Sequence, residues 1–234
     1  MTPTPTPAPT ASPRATAVLP DLIETIRVDA DGRMPLLDRH MARLQASCAA
    51  LGHRSDADQV RAEVLTAAGT AQGPGPHRLR LLHHPDGTLT LRTAPLPPLP
   101  TPQGVCLWTS RLSSGASLLR HKTTHRPWYD DITEWLARHP DLFDAVLCNE
   151  RGELCEGSRT NVYLQMGGTW FTPPVSCGCL PGVQRAALLD AGLVQERILY
   201  EDDMQRATRI RLSNALRGWM DVEFRLGAKA APAR

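Results

Sequence analysis

The chain has 234 residues, 41% of them hydrophobic and 21% charged, with a formal net charge of +2. That length supports one large domain or two modest ones, and the near-neutral balance offers no electrostatic basis for binding nucleic acid. Breakers such as Pro85 and Gly87 interrupt every apolar run before the roughly 18 residues that a membrane span requires.

Residues 1–20, "MTPTPTPAPTASPRATAVLP", form a Thr/Pro/Ala tract that predicts a disordered tail and lacks the apolar segment of a secretory signal. "LIETIRV" (22–28) alternates as a strand does, and "DADG" (29–32) turns out of it. In "LLDRHMARLQASCAALG", Leu37, Met41, Leu44, Cys48 and Leu51 recur at helical spacing, with Asp38 as N-cap and Gly52 as the stop. "DADQVRAEVLTAAG" reads as a second helix, and "HRLRLLHHPDGTLTLRTA" as a hairpin around Pro-Asp-Gly. Five prolines in "PLPPLPTPQG" (95–104) then mark a linker between a small lobe, 21–94, and a larger one, 105–228.

Beyond the linker, "VCLWTS" is a strand and "PWYDDITEWLARH" a helix with proline in its first turn. "FDAVLCNERGELCEGSRTNVYLQMGGTWFTPP" supplies three short strands, and "PGVQRAALLDAG" a helix. "TRIRLSNA" and "DVEFRL" close the chain as strands, with "GAKAAPAR" as a loose end. The mixture lacks a regular β-α repeat, which predicts α+β rather than a doubly wound sheet. Six cysteines, at 48, 106, 148, 155, 177 and 179, form no C-x-x-C pair, so reduced thiols in a cytoplasmic protein are expected, with no metal site.

Four features of the larger lobe stand out. Lys122 lies in an irregular loop, Glu156 in a tight loop between strands, Gly182-Val183-Gln184 opens a helix, and Ser213-Asn214 ends a strand. Arg43 lies off the apolar stripe of the first helix. Each has an ordinary explanation as a surface charge, a turn or a helix start. Together they are also the parts that pyridoxal phosphate needs: an amine, an acid at the pyridine nitrogen and a phosphate cradle.

The stretches "ETIRV", "HMARLQASCAALG", "HKTTHRPWYD", "FDAVLCNERGELCEGSRTNVYL", "TPPVSCGCLPGVQR" and "LSNALRGW" run in order through residues 22–219. In them the chain resembles the class IV (fold type IV) pyridoxal phosphate enzymes: branched-chain and D-amino acid aminotransferases and aminodeoxychorismate lyase. The likeness is greatest to the lyase domain fused to aminodeoxychorismate synthase component I.

The resemblance implies a two-lobed, D-amino acid aminotransferase-like fold with pyridoxal 5′-phosphate as cofactor. It implies Lys122 as the Schiff-base lysine, Glu156 as the acid at the ring nitrogen, Arg43 as the phosphate arginine and Val183 and Gln184 as backbone donors. Thr160 and Asn161 then flank the ring, and Ser213 and Asn214 touch the phosphate side. Thr25 is the candidate proton donor or positioner for the leaving group, and Arg27 and Arg126 are the candidate carboxylate anchors.

The implied reaction converts 4-amino-4-deoxychorismate to 4-aminobenzoate and pyruvate in folate biosynthesis, with a class IV aminotransferase as the alternative. A homodimer, and possible docking of aminodeoxychorismate synthase, follow from the same likeness. Two positions depart from it: Gln184 stands where many members have a hydroxyl residue, and His125 where the lyases often have asparagine. The usual N-terminal lead-in is absent as well, which predicts a reduced small lobe.

Overall fold

The computed structural model of the protein describes residues 19–71, 73–100 and 103–230, residues 226–230 by backbone alone. All but the last two residues of the expected tail lie outside that range. The architecture is α+β. Strand β1 (Leu22–Val28) pairs antiparallel with β2 (His77–His83), and β2 with β3 (Leu89–Pro95). Helices α1 (Leu37–Leu51) and α2 (Ala57–Gly69) pack on this three-stranded sheet through Leu44, Cys48, Val60 and Val64, against Leu22, Ile26, Leu79 and Leu81. Alternation along β1 gives it two roles. Leu22, Glu24, Ile26 and Val28 point one way into the protein, while Thr25 and Arg27 are on the other face and less buried.

Helix α1 differs from expectation at its start. Leu36 is the N-cap and makes no side-chain cap, whereas Asp38 lies in the first turn and pairs with Arg61 at 2.6 Å. An acid there still suits the helix dipole. Gly52 ends the helix in the left-handed region at φ 74°, which its missing Cβ permits. Asp56 caps α2 by accepting from the N–H groups of Asp58 and Gln59.

The second sheet has eight strands: β4 (Gly104–Leu112), β5 (Leu142–Asn149), β6 (Leu154–Gly157), β7 (Asn161–Met166), β8 (Thr169–Thr172), β9 (Gln195–Glu196), β10 (Arg209–Asn214) and β11 (Gly218–Ala230). Their order is β6-β5-β4-β11-β10-β7-β8-β9, with β4 parallel to both β5 and β11. Residues 143–174 thus form four strands where three were expected. "GAKAAPAR" is not loose up to Ala230, because β11 continues and pairs Lys229 with Leu107 and Ala230 with Trp108; residues 231–234 lie outside the described range.

Helix α3 (Asp130–Ala137) follows a short 3-10 turn at Pro127–Tyr129, α4 (Val183–Asp190) starts two residues after Pro181, and α5 (Glu201–Arg206) was not anticipated. Of segment 95–104, residues 95–100 lead out of the first sheet and part of this stretch is packed. Leu96 is buried and donates to Pro76 O at 2.9 Å, while Leu99 packs on the core of the second sheet. No helix among the described residues is long and apolar enough to cross a membrane. All six cysteines are buried free thiols, and no metal-binding group of three ligands occurs among the described residues.

Candidate active site

A cavity of about 540 Å³ opens between the two sheets, lined from β1, α1, the 95–99 segment, the Lys122 loop, β6, the start of α4 and the β10–β11 turn. Backbone stitching fixes the Lys122 loop against β1. Ile23 donates its N–H to Lys122 O at 2.7 Å, Thr124 donates to Asp21 O at 2.8 Å, and Thr123 bridges to Leu22. Lys122 therefore lines the cavity together with Thr25 and Arg43. Enclosure lowers its pKa from 10.5 to about 7, and the charges of Arg126 and Arg43 act in the same direction.

Glu156 on β6 is buried and lines the same cavity. Burial raises its pKa to about 7, opposed first by a hydrogen bond from Tyr129. Tyr129 Oη donates to Oε1, and the Leu180 N–H donates to Oε2 at 3.0 Å. Tyr129 is itself held from above, since the Arg126 guanidinium lies 4.4 Å from its ring centroid and donates to Ser158 O at 2.9 Å.

The loop after Glu156 is organised by a buried carboxylate. Asp144 accepts from the N–H and Oγ of Ser158, the N–H of Arg159 and Oγ1 of Thr160, at 2.7–3.1 Å. Asn161 donates to Leu180 O at 3.1 Å, joining this loop to the segment before α4. A Cβ on Gly157 would overlap Asp144 and Thr160, and one on Gly182 would overlap Asn161 Oδ1. Gly182 caps α4 without a side-chain acceptor, so the first N–H groups of the helix, at Val183 and Gln184, have no intrahelical carbonyl to serve. Across from them, Ser213 Oγ bonds Tyr163 Oη at 2.7 Å, and Asn214 Oδ1 accepts from Leu216 and Arg217 N–H.

Arg43 lines the cavity with its guanidinium gripped from behind. Its Nε and Nη2 donate to the two oxygens of Glu24, at 2.9 and 2.6 Å, and its Nη1 lies 3.4 Å from Pro181 O. His40 Nδ1 shares Glu24 Oε2 at 2.6 Å.

Of the residues read from the sequence, Lys122, Thr25, Arg43, Glu156, Thr160, Asn161, Val183, Gln184, Ser213, Asn214 and Arg126 all line this cavity. Arg27 does not. It lines an adjoining cavity of about 430 Å³, with its guanidinium occupied by Asp29 Oδ1 at 2.6 Å and Leu216 O at 3.0 Å. Its side chain follows Thr25 on the same strand face but two residues further along, beyond the cavity wall.

Sequence reasoning missed Glu24, Tyr129, Asp144, Arg78, Arg159, Arg217 and the wall from Pro95 to Leu99. One of these left a signal. Glu24 is an acid in phase with Leu22, Ile26 and Val28 on the buried face of a strand, where a charge must have a partner.

These donors fit pyridoxal 5′-phosphate. The cavity offers an amine of lowered pKa, an enclosed acid, a helix start beside a pinned guanidinium for a phosphate, and backbone packed so closely at Gly157 and Gly182 that any Cβ would collide. Comparison with known proteins agrees. The family described as amino-transferase class IV matches residues 21–223. A Schizosaccharomyces pombe protein provisionally named an aminodeoxychorismate lyase is 25% identical over 193 residues, 80% of this chain and 83% of its own.

Among solved structures, a Mesorhizobium loti protein provisionally named an amino-acid aminotransferase is 38% identical, with TM-score 0.80, over 88% of this chain and 99% of that one. The 4-amino-4-deoxychorismate lyase of Pseudomonas aeruginosa is 26% identical, with TM-score 0.71, over 97% and 91%. With fold, donor set and likeness in agreement, the chain belongs to the class IV aminotransferase family, whose cofactor is pyridoxal 5′-phosphate.

Proposed function

We propose that the protein is an aminodeoxychorismate lyase, releasing 4-aminobenzoate and pyruvate from 4-amino-4-deoxychorismate in folate biosynthesis. Thr25 carries this reading: a hydroxyl residue lines the same cavity as Lys122, so one site offers both a base and a proton donor for an elimination. Arg43, the Val183–Gln184 helix start, Ser213 and Asn214 would hold the cofactor's phosphate, Thr160 and Asn161 would flank its ring, and Glu156 would serve its pyridine nitrogen, a reading supported by their all lining one cavity. When bound, pyridoxal phosphate supplies an aldehyde that bonds the substrate's 4-amino group and a protonated ring that takes up the electron pair freed by proton loss.

Lys122, with a pKa of about 7, has a large neutral fraction at neutral pH and removes the ring proton. Tyr129 and the Leu180 N–H favour the carboxylate form of Glu156, which keeps the proton on the pyridine nitrogen. Thr25 donates to the departing enolpyruvyl group, and Arg126 anchors a substrate carboxylate. The gain in aromaticity drives the elimination. In this reading lobes 21–94 and 105–228 enclose the site, and the enzyme is a cytoplasmic homodimer supplied by aminodeoxychorismate synthase.

A second reading is a class IV aminotransferase acting on branched-chain or D-amino acids; the 38% identity to the Mesorhizobium loti protein supports its aminotransferase part. Lysine, acid and phosphate cradle serve both reactions. The test supplies purified protein with chorismate, glutamine and an aminodeoxychorismate synthase and follows 4-aminobenzoate by fluorescence, with Lys122→Ala alongside. Product from the wild type and none from the variant supports the lyase. Absence of product, together with 2-oxo acid release from an amino-acid panel, overturns it.

A further inference from the structure

The charges lining the cavity do not balance. Arg78, Arg126, Arg159 and Arg217 all line it, whereas Glu156 is its one acid and Arg43 is already met by Glu24. Among the described residues, no carboxylate lies within ion-pair distance of those four arginines.

Two of them are held as a pair. Asn214 donates from Nδ2 to Arg159 O at 3.4 Å and accepts at Oδ1 from the Arg217 N–H at 3.0 Å, tying the two backbones together. Both guanidinium groups rest on neutral carbonyls. Arg159 donates from Nε and Nη2 to Phe143 O and lies 4.8 Å from the Phe143 ring centroid, and Arg217 donates from Nη1 to Pro97 O at 2.6 Å. Arg159 is exposed and Arg217 half-buried, so the pair stands at the open side of a cavity in which Glu156 is buried. The Arg217 charge is disfavoured by burial and then by Arg27 and Arg159 nearby, a like-charge crowding that an anion would relieve. Planar donors already fixed in place lose little freedom when they take up a carboxylate.

We propose that Arg159 and Arg217 form a second carboxylate subsite at the open side of the cavity, so that the enzyme selects substrates carrying two anionic groups over those carrying one. This deepens the lyase reading and rests on it for the reaction, while the binding preference is measurable without turnover.

The experiment uses the cofactor-loaded protein and two ring probes, 3-(carboxymethoxy)benzoate and 3-methoxybenzoate, which differ by one carboxylate. Affinities come from calorimetry, and cofactor retention from absorbance after desalting. The wild type is expected to favour the dicarboxylate by about tenfold or more, the worth of one charge-assisted contact. Arg159→Gln and Arg217→Gln should each cut that ratio to about threefold or less, with Arg159→Lys and Arg217→Lys restoring part of it. Should a Gln variant fail to fold, the Lys variant carries the test through its partial loss of the ratio.

The subsite is overturned by a wild type without preference, by variants that leave the ratio unchanged, or by variants that shed the cofactor, which would assign the arginines to its phosphate. A protein that makes no 4-aminobenzoate but shows a variant-sensitive ratio loses the lyase reading and keeps the subsite. One that makes 4-aminobenzoate with an unmoved ratio does the reverse.

Discussion

Replacing Glu24 by Gln tests how the fold holds Arg43 in the cavity. Glu24 is 1% exposed and receives two hydrogen bonds from Arg43, whose side chain is 11% exposed, and a further one from His40. Burial by itself pushes the carboxyl upward, but the Arg43 charge and the hydrogen bonds together bring its pKa from 4.5 down to about 2. At about 1.4 kcal/mol per pKa unit, that difference corresponds to roughly 3 kcal/mol of folding stability. Breaking a buried pair by neutralising one partner costs about 3–5 kcal/mol, which is the same range.

The folded value lies below the unfolded one. The stabilisation is therefore complete above pH 4.5 and is lost as pH falls from there toward 2. Urea unfolding of wild type and Glu24→Gln at pH 7 should differ by about 3 kcal/mol, and the gap should narrow as pH falls through 4 toward 3. Adding Arg43→Met to the variant should cost less than it does in the wild type, since its partner is already gone. A loss under about 1 kcal/mol at pH 7, or a gap indifferent to acid, would refute the claim that Glu24 and Arg43 act as a buried ionic unit.

Other substitutions probe the rest of the site. Lys122→Met should stabilise the cofactor-free protein by roughly 2–4 kcal/mol at pH 7 in urea, because the enclosed amine titrates at about 7 instead of 10.5; the gain should fade as pH rises from 7 toward 10.5. Tyr129→Phe removes a bond that favours ionised Glu156, so the acidic limb of kcat/KM against pH should move upward, and an unmoved limb would show that the bond does not act on that carboxyl. Gly182→Ala places a methyl on Asn161 Oδ1 and should cost about 1–3 kcal/mol on thermal unfolding together with weaker cofactor retention; a neutral outcome would mean that the close packing there is not required. Thr25→Val should lower lyase turnover about a hundredfold or more with cofactor absorbance unchanged, and near-normal turnover would remove Thr25 from the mechanism.

Much of the molecule was legible along the chain because its signals are local. Alternation set β1 at Leu22–Val28, and 3.6-residue spacing set α1 with its stop at Gly52. The resemblance to the class IV enzymes, carried by short motifs in order, marked Lys122, Glu156, Arg43 and the α4 start, and the fold brings all of them to one cavity. What could not be read depends on who meets whom across long separations. Glu24 and Arg43 are 19 residues apart, Tyr129 and Glu156 27, and Arg217 reaches Pro97 across 120. Arg27 and Thr25 share a strand face, yet only Thr25 reaches the cavity, because Asp29 and the Leu216 carbonyl hold Arg27 in the neighbouring one. The proline-rich stretch looked like a spacer by composition, but Leu96 and Leu99 are packed and help to wall the site. Periodicity and capping report on a few neighbouring residues. Which charges pair and which stay free to receive a ligand is an electrostatic outcome of residues that only folding brings within a few ångströms.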